Sequence, residues 1–178
     1  KVILENLKVS KEEINEGVAF VSEELKEAID IAKQNVKIFH ASQFISKKVV
    51  ETTPGVACWQ EMRPIEKVGL YIPGGSAPLF STILMLGKPA KIAGCKEIIL
   101  CTPPSKEGSV HPAILYTANL VGVTKIFKVG GAQAIGAMTY GTETIPATYK
   151  IFGPGNQFVT KAKELIQQQG VAIDMPAG

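Results

Sequence analysis

Short apolar runs that each end on glycine or proline recur through residues 68–178, and they limit what this chain can fold into more than any other feature. Val68-Gly69-Leu70-Tyr71-Ile72 precedes Pro73-Gly74-Gly75, and Glu97-Ile98-Ile99-Leu100-Cys101 precedes Thr102-Pro103-Pro104. Lys125-Ile126-Phe127-Lys128-Val129 precedes Gly130-Gly131, Tyr149-Lys150-Ile151-Phe152 precedes Gly153-Pro154-Gly155-Asn156, and Ala172-Ile173-Asp174-Met175 precedes Pro176. Runs of four or five residues are strand-sized and too short for helices. Between them lie helix-like stretches at about 80–94, 111–121, 133–140 and 157–169, with Pro89 expected to kink or interrupt the first. Strands alternating with helices predict a parallel sheet built from βαβ units, wound on both faces. In such sheets a ligand sits beyond the carboxyl ends of the strands, where the strand order switches. Here those ends are the Gly/Pro loops.

Residues 1–67 read differently. Residues 1–45 are expected to be helical: Ser10 with Glu13 fits a capping box, and Ser22 before Glu23 and Glu24 fits a second helix start. Leu25, Ile29, Ala32, Val36 and Phe39 then form one apolar stripe on a helix of about 20 residues. Lys26, Asp30, Lys33 and Lys37 fall on its solvated faces, and His40 stands near its end. Thr52-Thr53-Pro54-Gly55 signals a turn, followed by an extended stretch over residues 56–63 that contains Trp59 and is limited by Pro64. The expected architecture is α/β: an incomplete, Rossmann-like parallel sheet with flanking helices over residues 68–178. A helical lead-in, residues 1–67, precedes it as part of an incomplete first lobe.

The totals exclude several classes. With 46% hydrophobic residues among 178, the chain can bury a sizeable core. No apolar run approaches the roughly 18 residues of a membrane helix, and Lys1-Val2-Ile3-Leu4-Glu5 has no signal-peptide pattern, so a cytoplasmic protein with no membrane partner is the default. The formal net charge is +3, without a basic cluster or binding motif, which argues against nucleic acid. Residues 68–178 are mildly basic and would tolerate a diphosphate ligand. Cys58, Cys95 and Cys101 form no disulfide framework and read as small, mostly buried hydrophobes. His40 and His111 stand alone, without ligand spacing to any cysteine, and neither is taken as a metal ligand. The chain begins without Met, and its last residues read as a strand running into a loop, so a piece of a longer chain is expected.

Neither the G-x-G-x-x-G fingerprint nor the Walker phosphate loop is present. The glycine-rich strand–helix turns near helix N-termini nevertheless suit phosphates, because free N–H groups and the helix dipole point there. The same glycines also serve tight turns without any ligand. Tyr71, near the end of its run, can stack on or hydrogen-bond a flat ligand; Gln133 opens the helix after Gly130-Gly131-Ala132; Asn156 follows Gly153-Pro154-Gly155. All three are expected at one edge of the sheet. Each also has a local reading, with Tyr71 in the core and Gln133 and Asn156 as caps or turn residues.

Four segments carry a resemblance. Residues 70–82, LYIPGGSAPLFST, are similar to the LYxPGGxAPxxST segment of histidinol dehydrogenases. Val129-Gly130-Gly131-Ala132-Gln133-Ala134-Ile135 resembles that family's VGGAQAI segment. Residues 151–160, IFGPGNQFVT, resemble its IxGPGNxYVT signature, with Phe158 where Tyr is frequent, and residues 173–178 resemble the start of its IDxxAGPSE segment. Their order and spacing agree with the family's. The resemblance implies oxidation of L-histidinol to L-histidine in two hydride transfers, using two NAD molecules, in a homodimer with one zinc per site. It implies NAD contacts at Tyr71, Gln133 and Asn156, and makes residues 68–178 an NAD-binding domain. The family's substrate-contacting serine, zinc ligands and Glu-His acid–base pair follow the segment matched here, so the chain is expected to carry no catalytic or metal-binding residue and to be inactive alone. The alternative is a noncatalytic module holding a nucleotide or anion, since such sheets host many functions.

Overall fold

The computed structural model of the chain describes residues 6–75 and 77–174. The expectations for residues 1–5 and for the loop at residues 175–178 lie outside the described residues.

Each apolar run becomes a strand: β3 (Lys67–Tyr71), β4 (Glu97–Thr102), β5 (Lys125–Lys128), β6 (Lys150–Phe152) and β7 (Ala172–Ile173). They pair in parallel in the order β5-β4-β3-β6-β7. The chain moves outward from β3 through β4 to β5, then returns to the other side of β3 at β6. The order therefore switches between β3 and β6. The intervening helices are α3 (Phe80–Ile92), α4 (Pro112–Val121), α5 (Ala132–Tyr140) and α6 (Gln157–Gln167). Side chains alternate across the strands. Ile72, Leu100 and Ile126 pack with Ile83 and Leu84 of α3 and Ile114 of α4. Tyr71, Ile99, Cys101, Phe127 and Ile151 pack on the other face with Ala134, Ile135 and Met138 of α5 and Val159 and Ile166 of α6. Pro89 does not interrupt α3, which runs on to Ile92.

The lead-in supplies α1 (Lys11–Phe20) and α2 (Glu23–Ala41). The capping box at α1 is complete: Glu13 N–H donates to Ser10 Oγ at 3.1 Å, and Ser10 N–H donates to Glu13 Oε2 at 2.9 Å. Ser22 caps α2, accepting from the Leu25 amide at 3.3 Å. α1 packs on α4, and α2 packs on α3. The α2 stripe is buried only in its first half. Ile29 is 1% exposed and Leu25 and Ala32 pack beside it, whereas Phe39 is 63% exposed.

Three expectations are corrected. Residues 6–9 are extended, not helical: Lys8 bridges Phe127 antiparallel, with Val9 N–H donating to Ile126 O at 2.9 Å and Lys128 N–H to Leu7 O at 2.7 Å. This segment covers the outer edge of β5, whose unpaired N–H and C=O groups need partners. Next, β1 (Val49–Thr53) precedes the turn and pairs antiparallel with β2 (Val56–Trp59) as an exposed hairpin. Finally, Cys95 and Cys101 are buried but Cys58 is exposed on that hairpin.

Glu13 also joins α1 to β5 through an ion pair with Lys128, whose side chain is only 10% exposed. Burial pushes the Glu13 carboxyl up. The Lys128 ammonium bonded to it, the Ser10 amide and the Lys128 charge outweigh this and hold it below its ordinary value of 4.5. A carboxylate whose folded value is lowered adds stability above its unfolded value and loses it as pH falls through the folded one. Glu13→Gln is therefore expected to unfold more easily than wild type at pH 7, with the difference shrinking as pH falls below 4.5. Urea midpoints at pH 7 and pH 3 check this; an equal difference at both would remove the charge from the explanation.

Candidate functional site

Three loops at the carboxyl edge of the sheet meet on Tyr71. Its ring lies in the core and the residue is 4% exposed. The Gly131 amide, at the N-terminus of α5, donates to its hydroxyl at 2.9 Å. Gly153, at the end of β6, crosses its backbone so closely that a Cβ there would lie 2.0 Å from the Tyr71 carbonyl oxygen. Gly153 also has φ +133°, a conformation that favours glycine. Tyr71 thus ties the exits of β3, β5 and β6 together at the switch in strand order.

A second knot forms at Pro103, in the loop after β4. A Cβ on Gly74 would come within 2.6 Å of the Pro103 ring, and one on Gly130 within 2.5 Å. The Pro-Gly-Gly and Val-Gly-Gly turns are therefore pressed against this proline from two sides. Pro103 and Pro104 line two cavities. One, of about 340 Å³, lies among Gly74, Gly75, Thr102, Ser109 and His111. The other, of about 370 Å³, is lined by Leu7, Lys128, Val129, Gly130 and Gln133.

Gln133 is exposed in the first turn of α5, and its amide lies beside Gly131, 2.9 Å from where a Cβ would sit. It lines the 370 Å³ cavity, which neither Tyr71 nor Asn156 lines. Asn156 is the N-cap of α6: its Oδ1 accepts from Phe158 N–H and Val159 N–H, both at 3.1 Å. The local reading thus holds for Tyr71 as core and for Asn156 as cap. Each keeps a further capacity: the Asn156 Nδ2 group remains a donor, and the Tyr71 hydroxyl can still donate its own hydrogen. The three predicted residues share one sheet edge, and the Tyr71–Gly131 bond and the Gly153 crossing join their loops.

The helix termini at this edge differ. α6 is capped by Asn156, whereas α3 and α5 begin without a side-chain cap bond. Among the described residues their first N–H groups receive no side-chain cap and are suited to an anion. His111 caps α4, accepting from the Ala113 amide at 3.1 Å through Nδ1. Burial pushes the Cys101 thiol up to about 12, which removes it as a nucleophile or ligand at neutral pH. Among the described residues, no three His, Cys, Asp or Glu side chains are grouped to hold a metal ion.

Sequence reasoning missed Lys163. It projects from α6 in the same stripe as Val159 and Ile166 and is 4% exposed. It donates to the Gly153 carbonyl at 3.0 Å and pairs with Asp174 just after β7. The signal was available: a lysine at i+4 from one buried residue and i−3 from the next falls on the apolar face.

Compared with known proteins, residues 1–178 match the family described as histidinol dehydrogenase. The histidinol dehydrogenase of Bacteroides thetaiotaomicron is 64% identical over 178 residues, covering 100% of this chain and 42% of that protein. That of Xylella fastidiosa is 53% identical, over 99% of this chain and 41% of that protein. A crystal structure of histidinol dehydrogenase from Elizabethkingia anophelis agrees at TM-score 0.96 and 63% identity, covering 98% of this chain and 40% of that one. The chain spans about two-fifths of the length of these relatives.

Tyr71→Phe keeps the ring and removes the partner of the Gly131 amide. It is expected to lower stability by about 1 kcal/mol, the usual net scale of one such bond. The Gly131 amide should also lose protection from hydrogen exchange. Unchanged exchange at Gly131 would show that the hydroxyl does not hold the loop.

Proposed function

The chain belongs to the histidinol dehydrogenase family, and from that premise we propose that residues 68–178 are its NAD-binding domain, serving the oxidation of L-histidinol to L-histidine. The observation that carries the reading is the meeting of the β3, β5 and β6 loops on Tyr71 at the switch in strand order, the place where open parallel sheets take their ligands. The segments that resemble the family's NAD-contacting motifs are these same loops.

The residues present fit such a cofactor. Two glycine turns too tight for a side chain leave backbone at the surface, and two uncapped helix starts offer N–H groups to a diphosphate. When bound, NAD would supply hydride-acceptor chemistry for the oxidation of an alcohol. The chain's own residues bind and orient. Gln133 and the Asn156 Nδ2 group supply hydrogen bonds, the Tyr71 hydroxyl holds the Gly131 turn against β3, and Pro103 closes the space between the Gly74 and Gly130 turns. Zinc is a different case. The described residues do not fit a zinc site. In this reading the metal ligands and the acid–base pair belong to other segments of the enzyme. The assembly is a homodimer acting in the cytoplasm on a small molecule.

Two outcomes are expected. In the full-length protein, Asn156→Asp keeps an oxygen to cap α6 but loses the Nδ2 donor, so NAD affinity should fall while melting stays near wild type. Asn156→Ala should lose affinity and also about 1 kcal/mol of helix capping. Gln133→Ala should weaken NAD binding by roughly 1–3 kcal/mol. Calorimetric titration decides; wild-type affinity in both Asn156→Asp and Gln133→Ala would refute the site. Separately, the 178-residue chain supplied with NAD, zinc and histidinol should form no NADH by absorbance, because positioning and general-base contributions from elsewhere are missing. Turnover within roughly a hundredfold of the full-length rate would overturn that division of labour.

A further inference from the structure

We infer that the buried Lys163–Asp174 ion pair is a positioning element for the candidate site at the β3–β6 switch, setting the backbone of Gly153 and hence the stretch that presents Asn156. The inference rests on the cofactor reading above.

Both polar groups of Gly153 are taken by the two halves of this one pair. Lys163 Nζ donates to the Gly153 carbonyl at 3.0 Å, and the Gly153 amide donates to Asp174 Oδ2 at 2.7 Å. The other oxygen of Asp174 meets the Lys163 ammonium. Lys163 comes from α6 and Asp174 from the exit of β7, so two elements grip a residue of a third. Gly153 itself lies on the Tyr71 backbone, where a Cβ would stand 2.0 Å from an oxygen. Asn156 follows three residues later. A rotation of the Gly153 peptide would therefore move the loop against β3 and redirect Asn156.

Stability alone gives little reason for a lysine here. Removing an ammonium from water is costly before pairing, and buried ion pairs replaced by apolar residues of like volume are often neutral or stabilising. The α6 stripe of Val159 and Ile166 would accept such a residue. What an apolar side chain cannot do is orient a carbonyl and an amide of the same glycine at once. The role assigned is that of orientation, with no contact to the cofactor.

The experiment uses the full-length protein with three variants: Lys163→Met, which keeps the bulk, Asp174→Asn, which keeps the shape, and Lys163→Arg, which keeps the charge. Two quantities are read, hydrogen exchange at the Gly153 amide by NMR and the NAD dissociation constant by calorimetry. Lys163→Met and Asp174→Asn are expected to stay folded, to speed Gly153 exchange at least about tenfold and to weaken NAD binding roughly ten- to hundredfold, the scale of a hydrogen bond to a charged group. Lys163→Arg should recover part of both. In an Asn156→Ala background the same changes should cost clearly less, because Lys163 acts through that residue. Wild-type NAD affinity, or unaltered Gly153 exchange, in folded Lys163→Met overturns the inference; if that variant does not fold, Asp174→Asn decides by the same two readings. If the wild-type protein takes up no NAD, the cofactor reading has failed, and Gly153 exchange alone then decides the positioning role.

Discussion

The end of β6 passes over the end of β3 at a distance that admits no side chain. That contact, Gly153 on the Tyr71 backbone, is where the sheet changes direction. β3 pairs with β4 on one side and β6 on the other, so it is the single strand common to both halves. Parallel neighbours leave the sheet at the same edge. Their loops must then share a small volume, and glycine and proline are the residues that let them. Gly74 and Gly130 against Pro103 repeat the solution one strand away. The candidate site is the space left over once these loops have been packed together.

That origin explains why the groups of the site also serve the fold. The Tyr71 hydroxyl secures the start of α5, and Asn156 Oδ1 secures the start of α6. In each case the side chain accepts hydrogen bonds from the scaffold and keeps a donor of its own. A ligand-binding group held in this way loses little freedom on binding, which is the advantage of a preformed site. It also means that removing such a side chain disturbs two things together, and only substitutions that spare one of them separate the roles.

What was legible in the sequence follows the same division. Strands β3 to β7 were visible as short apolar runs ending on glycine or proline, helix α2 by its apolar stripe, and helices α3 to α6 as the helix-like stretches between the runs. The capping box at Ser10 was visible because its chemistry is local. Residues 6–9 were misread because their partner is β5, more than a hundred positions away in the chain, and nothing nearby in sequence records that pairing. β1 escaped notice because all five of its residues are exposed, leaving no alternation to read. The site was legible as a set of loops with Tyr71, Gln133 and Asn156 placed in them, and their assignment to NAD came with a family resemblance that the family match bears out for the chain as a whole. Lys163 stayed hidden because a lysine on an amphipathic helix ordinarily marks the wet face, although its spacing from Val159 and Ile166 puts it on the apolar one, where Asp174 pairs with it.

Glu13 caps α1 and pairs with Lys128, a residue 115 positions further along. Loop closure over that span has an entropic cost that nearby contacts must already have offset before it becomes favourable. Beyond its packing on α4, the first helix is therefore expected to gain this ion pair only after the outer strand of the sheet exists, and that contact is expected on the downhill side of the folding barrier. A perturbation there would quicken unfolding and leave the rate of folding nearly untouched. Helix α1 is, in time, expected to be among the last of the described elements to settle.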